Sequence, residues 1–108
     1  MGLVTRGEIW LVNLDPTVGS EIRKRRPCVV VSPSEMHDYL RTVLVAPMTT
    51  ASREAPFRIA VNHGGRMGLI LLDRVRAVDK TRLMKKLGTV PPKTLAATLK
   101  TLQEVFAE

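Results

Sequence analysis

Arg23, Lys24, Arg25 and Arg26 form an unbroken run of cations behind Gly19 and Ser20, with one carboxylate, Glu21, just before them. Glycine and serine let a backbone adapt to a ligand, and Pro27 fixes the chain where the run ends. Such a loop suits the grip of phosphate oxygens, although its bland alternative is a solvated turn. Glu21 either offsets repulsion among the cations or, held ionised by them, accepts a proton. A second group stands at Pro47-Met48-Thr49-Thr50, where hydroxyls commonly satisfy backbone groups of a turn. Facing the basic loop, a threonine there would instead donate to a phosphate oxygen. Asp73 has Arg74 and Arg76 beside it, a setting whose default is a structural ion pair. His37 and His63 flank loops without the spacing of metal ligands, so no metal site is expected. Nucleophile-elbow, P-loop and dinucleotide signatures are missing, which leaves ATP and NAD chemistry unsupported and no cofactor expected.

Short strands would have to hold these groups. Ile9 to Leu14 and Cys28 to Val31 are rich in branched residues and bounded by Gly7, Asp15-Pro16 and Ser32-Pro33, as strands should be. The basic loop would then lie at the mouth of a sheet. Ser34 to Arg41 suits a short helical turn, and Thr42 to Ala46 is a β-branched run that Pro47 would stop. Phe57 to Val61 alternates apolar with polar or small residues, and Asn62 to Gly65 is turn chemistry. Gly68 to Leu72 reads as a buried strand, with Val75 to Val78 continuing the sheet after a bend. Lys80 to Leu87 has good helix formers before Gly88, which points to a short helix with a glycine stop. After Pro91 and Pro92, the residues Leu95, Leu99, Leu102 and Phe106 make one apolar stripe of a terminal helix that docks on the sheet or on a partner. Five or six antiparallel strands with these helices imply a strongly bent sheet closing toward a small barrel, because closure removes exposed edges.

The totals agree with one domain spanning residues 1–108. A chain of this length has a high surface-to-volume ratio, which makes oligomerisation a natural supplement. Lys+Arg 17 against Asp+Glu 10 gives a formal charge of +7, so an anionic partner and salt-dependent binding follow. With only 4% aromatic residues, grip by stacking bases on many rings is disfavoured. No apolar run approaches the roughly 20 residues of a membrane span, and the first residues lack the apolar core of a secretory signal, so a cytoplasmic location away from membranes is expected. Cys28, the single cysteine, reads as a small buried strand residue and not as a catalytic thiol.

Assembled, these segments resemble the MazF/PemK/Kid toxins of bacterial toxin–antitoxin pairs, which are messenger-RNA interferases. The resemblance rests on RGEIWLVNLDPTVGSE, RRPCVVVSP, VLVAPMTT, the Ala55-Pro56-Phe57 turn, GLILLDRVRAVDKTRL and the LG before the last helix. It implies a mainly β fold, a small SH3-like barrel with a C-terminal helix, and a homodimer with single-stranded RNA at the subunit interface. The implied reaction is metal-independent: the 2′-hydroxyl attacks the adjacent phosphorus, leaving a 2′,3′-cyclic phosphate and a 5′-hydroxyl. Arg26, immediately before the strand-two proline, and Thr49 match the family's phosphate-contacting pair. Glu21 matches a loop glutamate and Asp73 an aspartate that some members use, so either is a candidate base. Ser20, Lys24, Arg25, Thr50 and Phe57 complete the implied RNA-contacting set, and a cognate antitoxin is the implied protein partner.

The match has departures. Glu21-Ile22-Arg23-Lys24-Arg25-Arg26 replaces a flexible polar loop of the family with a bulkier, more cationic one, so base preference is expected to differ. An arginine that some members place two residues before the aspartate is Leu71 here, and a histidine of others is Ser20. Two other functions share features with this reading: a gyrase poison of the CcdB type, which has the same fold but needs no phosphate clamp, and a non-catalytic nucleic-acid-binding barrel.

Overall fold

Cys28, Val29 and Val30 are wholly withdrawn from solvent, and they divide between two apolar clusters, Cys28 and Val30 in one and Val29 in the other. A strand buried on both faces reads as a continuous apolar run, which is why this segment lacks alternation. The computed structural model describes residues 3–14, 25–51 and 53–108. Ser20, Glu21 and Lys24 lie outside the described residues. Within them the strands are β1 (Glu8–Asn13), β2 (Arg25–Val30), β3 (Thr42–Thr49), β4 (Arg58–His63), β5 (Arg66–Leu71), β6 (Arg76–Asp79) and β7 (Leu83–Thr89), with helices α1 (Ser34–Tyr39) and α2 (Pro92–Val105). All pairings are antiparallel. The strands lie in the order β4-β5-β3-β2-β1-β7, and β6 sits beside β3 off that path. The result is a curled, barrel-like sheet with a C-terminal helix, the mainly β architecture expected from the strand pattern.

β3 is the hub, and it runs through Pro47 where a stop was expected. Val31 N–H donates to Leu44 O at 2.9 Å, so Leu44 aims its backbone groups at β2. By the two-residue alternation Val45 and Pro47 then aim theirs the other way. On that side β3 pairs β6 as far as Val45 and β5 from Met48 onward. Pro47 thus stands where β3 changes partner, and its missing N–H leaves no gap in a ladder.

The helix expected over Lys80 to Leu87 is instead a 3₁₀ turn, Lys80–Arg82, followed by β7. Pairing with β1 overrides the local propensity, since it buries Leu83 against the first cluster while Lys85 and Lys86 stay outside. Two register shifts in the β1–β7 ladder, between Ile9 and Trp10 and between Leu11 and Val12, add local bend to the sheet. The Asn62-to-Gly65 turn forms as expected. Gly64 and Gly65 take φ of 62° and 77°, the left-handed pair that a two-residue hairpin requires.

α2 lays Leu95 and Leu102 on the second cluster, which includes Ile9, Val29, Ala46 and Ile70. Thr98 is fully buried beneath it, whereas Phe106, the last member of the expected stripe, lies beyond the helix end and is 79% exposed. Gly7, at φ 90°, lets the chain pass under this helix: a Cβ there would stand 3.0 Å from Leu95 Cδ2. His37 is buried, with its ring nitrogens 2.6 Å from Ser32 Oγ and 2.7 Å from Val4 O. It ties α1 to the N-terminal segment.

Candidate phosphate-binding cleft

Arg26 belongs to a strand and not to a loop: it sits on β2 opposite Val12, with Arg25 opposite Asn13. Its backbone is therefore fixed by the sheet while its side chain stands exposed. The guanidinium has no side-chain hydrogen bond or ion pair with any described residue. The β2–β3 ladder ends with Cys28 opposite Pro47, and Arg26 and Thr49 each lie two residues beyond that pair on their strands. Beyond them an open cleft of about 140 Å³ forms, lined by Arg26, Thr49, Thr50 and His63 over a floor of Pro27, Met48, Val61 and Gly68.

Thr49 closes β3. Its Oγ1 accepts the Ala51 N–H at 3.1 Å, which fixes the hydroxyl oxygen and leaves its proton free to donate. Gly68 lies on the next strand, where a Cβ would come within 3.0 Å of Thr49 O. Glycine here lets β5 close directly on Thr49. A guanidinium and a donor hydroxyl can together bind two oxygens of a phosphate and stabilise charge developing on them.

Asp73 is placed elsewhere. It sits in the 3₁₀ turn Leu72–Arg74 beyond the far end of β5, about 10 Å of strand past Gly68 even before that turn begins. Arg58 engages both its oxygens, with Nε donating to Oδ1 at 3.1 Å and Nη2 to Oδ2 at 3.0 Å. That hydrogen bonding holds the Asp73 carboxyl below its ordinary range. The default reading of Asp73 as a structural ion pair thus describes its contacts, with Arg58 as the main partner; Arg74 stands at 3.9 Å. Phe57 also lies off the cleft lining. It is 42% exposed, adopts φ 68°, and its carbonyl accepts the Leu72 N–H at 3.1 Å. Cys28 is inert by environment, since burial pushes its thiol up to about 12 against the opposing charge of Arg76.

Two further polar residues sit here, His63, which the sequence patterns weighed only as a metal ligand, and Glu54, which they passed over. His63 lines the cleft, and Glu54 lines an adjoining groove with Thr49, Thr50 and Met67. The alternation of β4 places His63 on the face of Val61, a local signal. That this face meets Met48 of β3, beside Thr49, depends on β5 pairing with both β4 and β3, a relation between residues distant in sequence.

A family model described as PemK-like, MazF-like toxin of type II toxin-antitoxin system matches residues 5–106. An Escherichia coli protein named endoribonuclease PemK is 38% identical over 92 residues, spanning 80% of this chain and 69% of that one. The endoribonuclease toxin MazF of Escherichia coli K12 is 37% identical over 90 residues, 82% of this chain and 81% of its own. Among solved structures, MazF from Deinococcus radiodurans superposes with a TM-score of 0.85 at 25% identity, covering 97% of both chains.

Proposed function

The chain belongs to the PemK-like, MazF-like toxin family of type II toxin–antitoxin systems, and we propose that it is an endoribonuclease that cuts single-stranded messenger RNA without a metal. In this reading the 2′-hydroxyl forms a bond to phosphorus as the bond from phosphorus to the 5′-oxygen breaks, giving a 2′,3′-cyclic phosphate and a 5′-hydroxyl. Arg26 neutralises the non-bridging oxygens; a guanidinium does not release its proton near neutrality, so its part is stabilisation of the transition state. Thr49 donates its hydroxyl proton to the same phosphate. Of the two candidate bases, Asp73 has both oxygens on Arg58, which favours Glu21 as the acceptor of the 2′-hydroxyl proton. Arg25 and Thr50 flank the clamp and would hold neighbouring phosphates, with Ser20 and Lys24 extending that contact and Phe57 meeting RNA further along.

The observation that carries the reading is the Arg26 guanidinium, unpaired among the described residues, on the same cleft as the Thr49 hydroxyl. Two relatives more than a third identical bear the name endoribonuclease. A poison of gyrase would have no use for such a clamp. Membership in a toxin–antitoxin family supports a cognate antitoxin, whose acidic segments would cover the cleft, and action in the cytoplasm where messenger RNA lies. The small size of the chain is compatible with a working homodimer. No helix among the described residues is long and apolar enough to cross a membrane. Purified protein incubated with a long single-stranded RNA in EDTA should give discrete fragments with 5′-hydroxyl ends. Intact RNA after prolonged incubation, or undiminished cutting by Arg26→Ala, would end this reading.

A further inference from the structure

The cleavage reaction needs a proton for the departing 5′-oxygen, and neither member of the phosphate clamp is an effective source. Arg26 holds its proton too tightly, and the Thr49 hydroxyl is a hydrogen-bond donor of high pKa. His63 is the remaining cleft-lining side chain that exchanges protons readily. It closes β4 and is partly buried, and its side chain has no hydrogen bond or ion pair with any described residue. Its ring is therefore not committed to the scaffold, in contrast to His37, whose two nitrogens are both engaged.

The direction of approach also fits. Arg26 shares its face of β2 with Cys28, and Thr49 its face of β3 with Pro47, whereas His63 shares the opposite face of the sheet with Val61. The cleft wraps the end where β2 and β3 run out, so the clamp and the imidazole flank it from different sides. In-line displacement puts the entering 2′-oxygen and the leaving 5′-oxygen at opposite apices of the phosphorus, which separates the group that takes a proton from the group that gives one. We propose that His63 is the general acid of this cleft. Its imidazolium N–H protonates the 5′-oxygen as the bond to phosphorus breaks, while the 2′-hydroxyl proton leaves to the base as the new bond forms. This proposal rests on the endoribonuclease reading above.

Among the described residues, the charged groups around His63 are Arg26 from β2 and Arg66, its cross-strand partner on β5, with Glu54 in the adjoining groove. The catalytic form of an acid is the protonated one. The wild-type pH–rate profile should therefore carry a limb on which the rate declines as pH rises, and that limb should be missing in His63→Gln.

The decisive comparison uses two substrates, an RNA with ordinary linkages and the same RNA with sulfur in place of the scissile 5′-oxygen. A thiolate leaves without a proton, so a missing acid is tolerated. His63→Ala and His63→Gln should cut ordinary RNA at least roughly 100-fold more slowly in kcat, in keeping with the usual worth of proton transfer. On the sulfur substrate they should come within about 10-fold of wild type, while Arg26→Ala stays impaired on both. An equal deficit on both substrates, or wild-type cleavage of ordinary RNA by the His63 variants, overturns the assignment and leaves the endoribonuclease reading intact. Failure of wild-type protein to cut either substrate overturns both.

Discussion

Arg26 and Thr49 were recognisable because each sits in a short motif, before Pro27 and after Pro47-Met48, but their motifs do not say that they meet. Their meeting depends on the β2–β3 register, which no window of sequence contains. The same limit explains Asp73, whose neighbours in sequence are Arg74 and Arg76 but whose main partner is Arg58, fifteen positions away. Two predictions belong to this scale. Arg26→Ala should lower kcat by roughly 100- to 1,000-fold, the worth of one preorganised donor to developing charge, and Arg26→Lys should recover only part of it because an ammonium lacks the planar fork. Thr49→Val removes the hydroxyl and should slow cleavage about 10-fold or more, while Thr49→Ser keeps it and should stay close to wild type. Single-turnover kinetics on one defined RNA separates these outcomes. Equal rates for the valine and serine variants would show that the hydroxyl has no part in the reaction.

Among the elements, those set by local chemistry were legible and those set by pairing were not. The glycine turn between β4 and β5 and the apolar side of α2 needed only neighbours in sequence. β7 needed β1, and the passage of β3 through Pro47 needed two further strands. Glu8 shows what secures the β1–β7 pair. It is 8% exposed, accepts the Thr5 N–H at 2.9 Å and the Trp10 indole N–H at 3.1 Å, and meets Lys86 Nζ at 2.9 Å. Burial pushes its carboxyl up, but the Thr5, Lys86 and Trp10 hydrogen bonds together outweigh burial and hold it below the ordinary range. A lowered folded-state value means that the ionised form stabilises the fold above the unfolded-state value of about 4.3, and that this contribution fades as pH falls through the folded-state value. Glu8→Ala should thus cost about 1–3 kcal/mol near pH 7, with the gap to wild type narrowing in acid. Urea melts at pH 7 and pH 3 test the sign directly. Thr98 of α2 predicts the opposite change, because its buried hydroxyl has no partner among the described residues. Thr98→Val keeps the shape and should raise stability by about 1 kcal/mol, seen as a melting temperature several degrees higher.

At the scale of the whole molecule, the +7 charge pointed to an anionic partner from composition alone, but composition does not locate the cations that touch it. The fold separates them. Arg25 and Arg26 stand beside the cleft on β2, while Lys85 sits on β7, at the far end of the strand order from β5. Counterion release counts only cations brought against phosphates, at about 0.7 in the logarithmic salt slope for each contact on a single strand. A 2′-O-methylated RNA, which has no nucleophile, allows binding to be measured without cleavage. If Lys24, Arg25 and Arg26 each meet a phosphate, the slope of log K against log salt should be near −2, and Lys24→Gln or Arg25→Gln should each make it shallower by about 0.7. Lys85→Gln carries the same change in net charge and should leave the slope where it was. Equal slopes for all three variants would mean that the attraction for RNA is spread over the surface, and that the cleft is not where the strand is gripped.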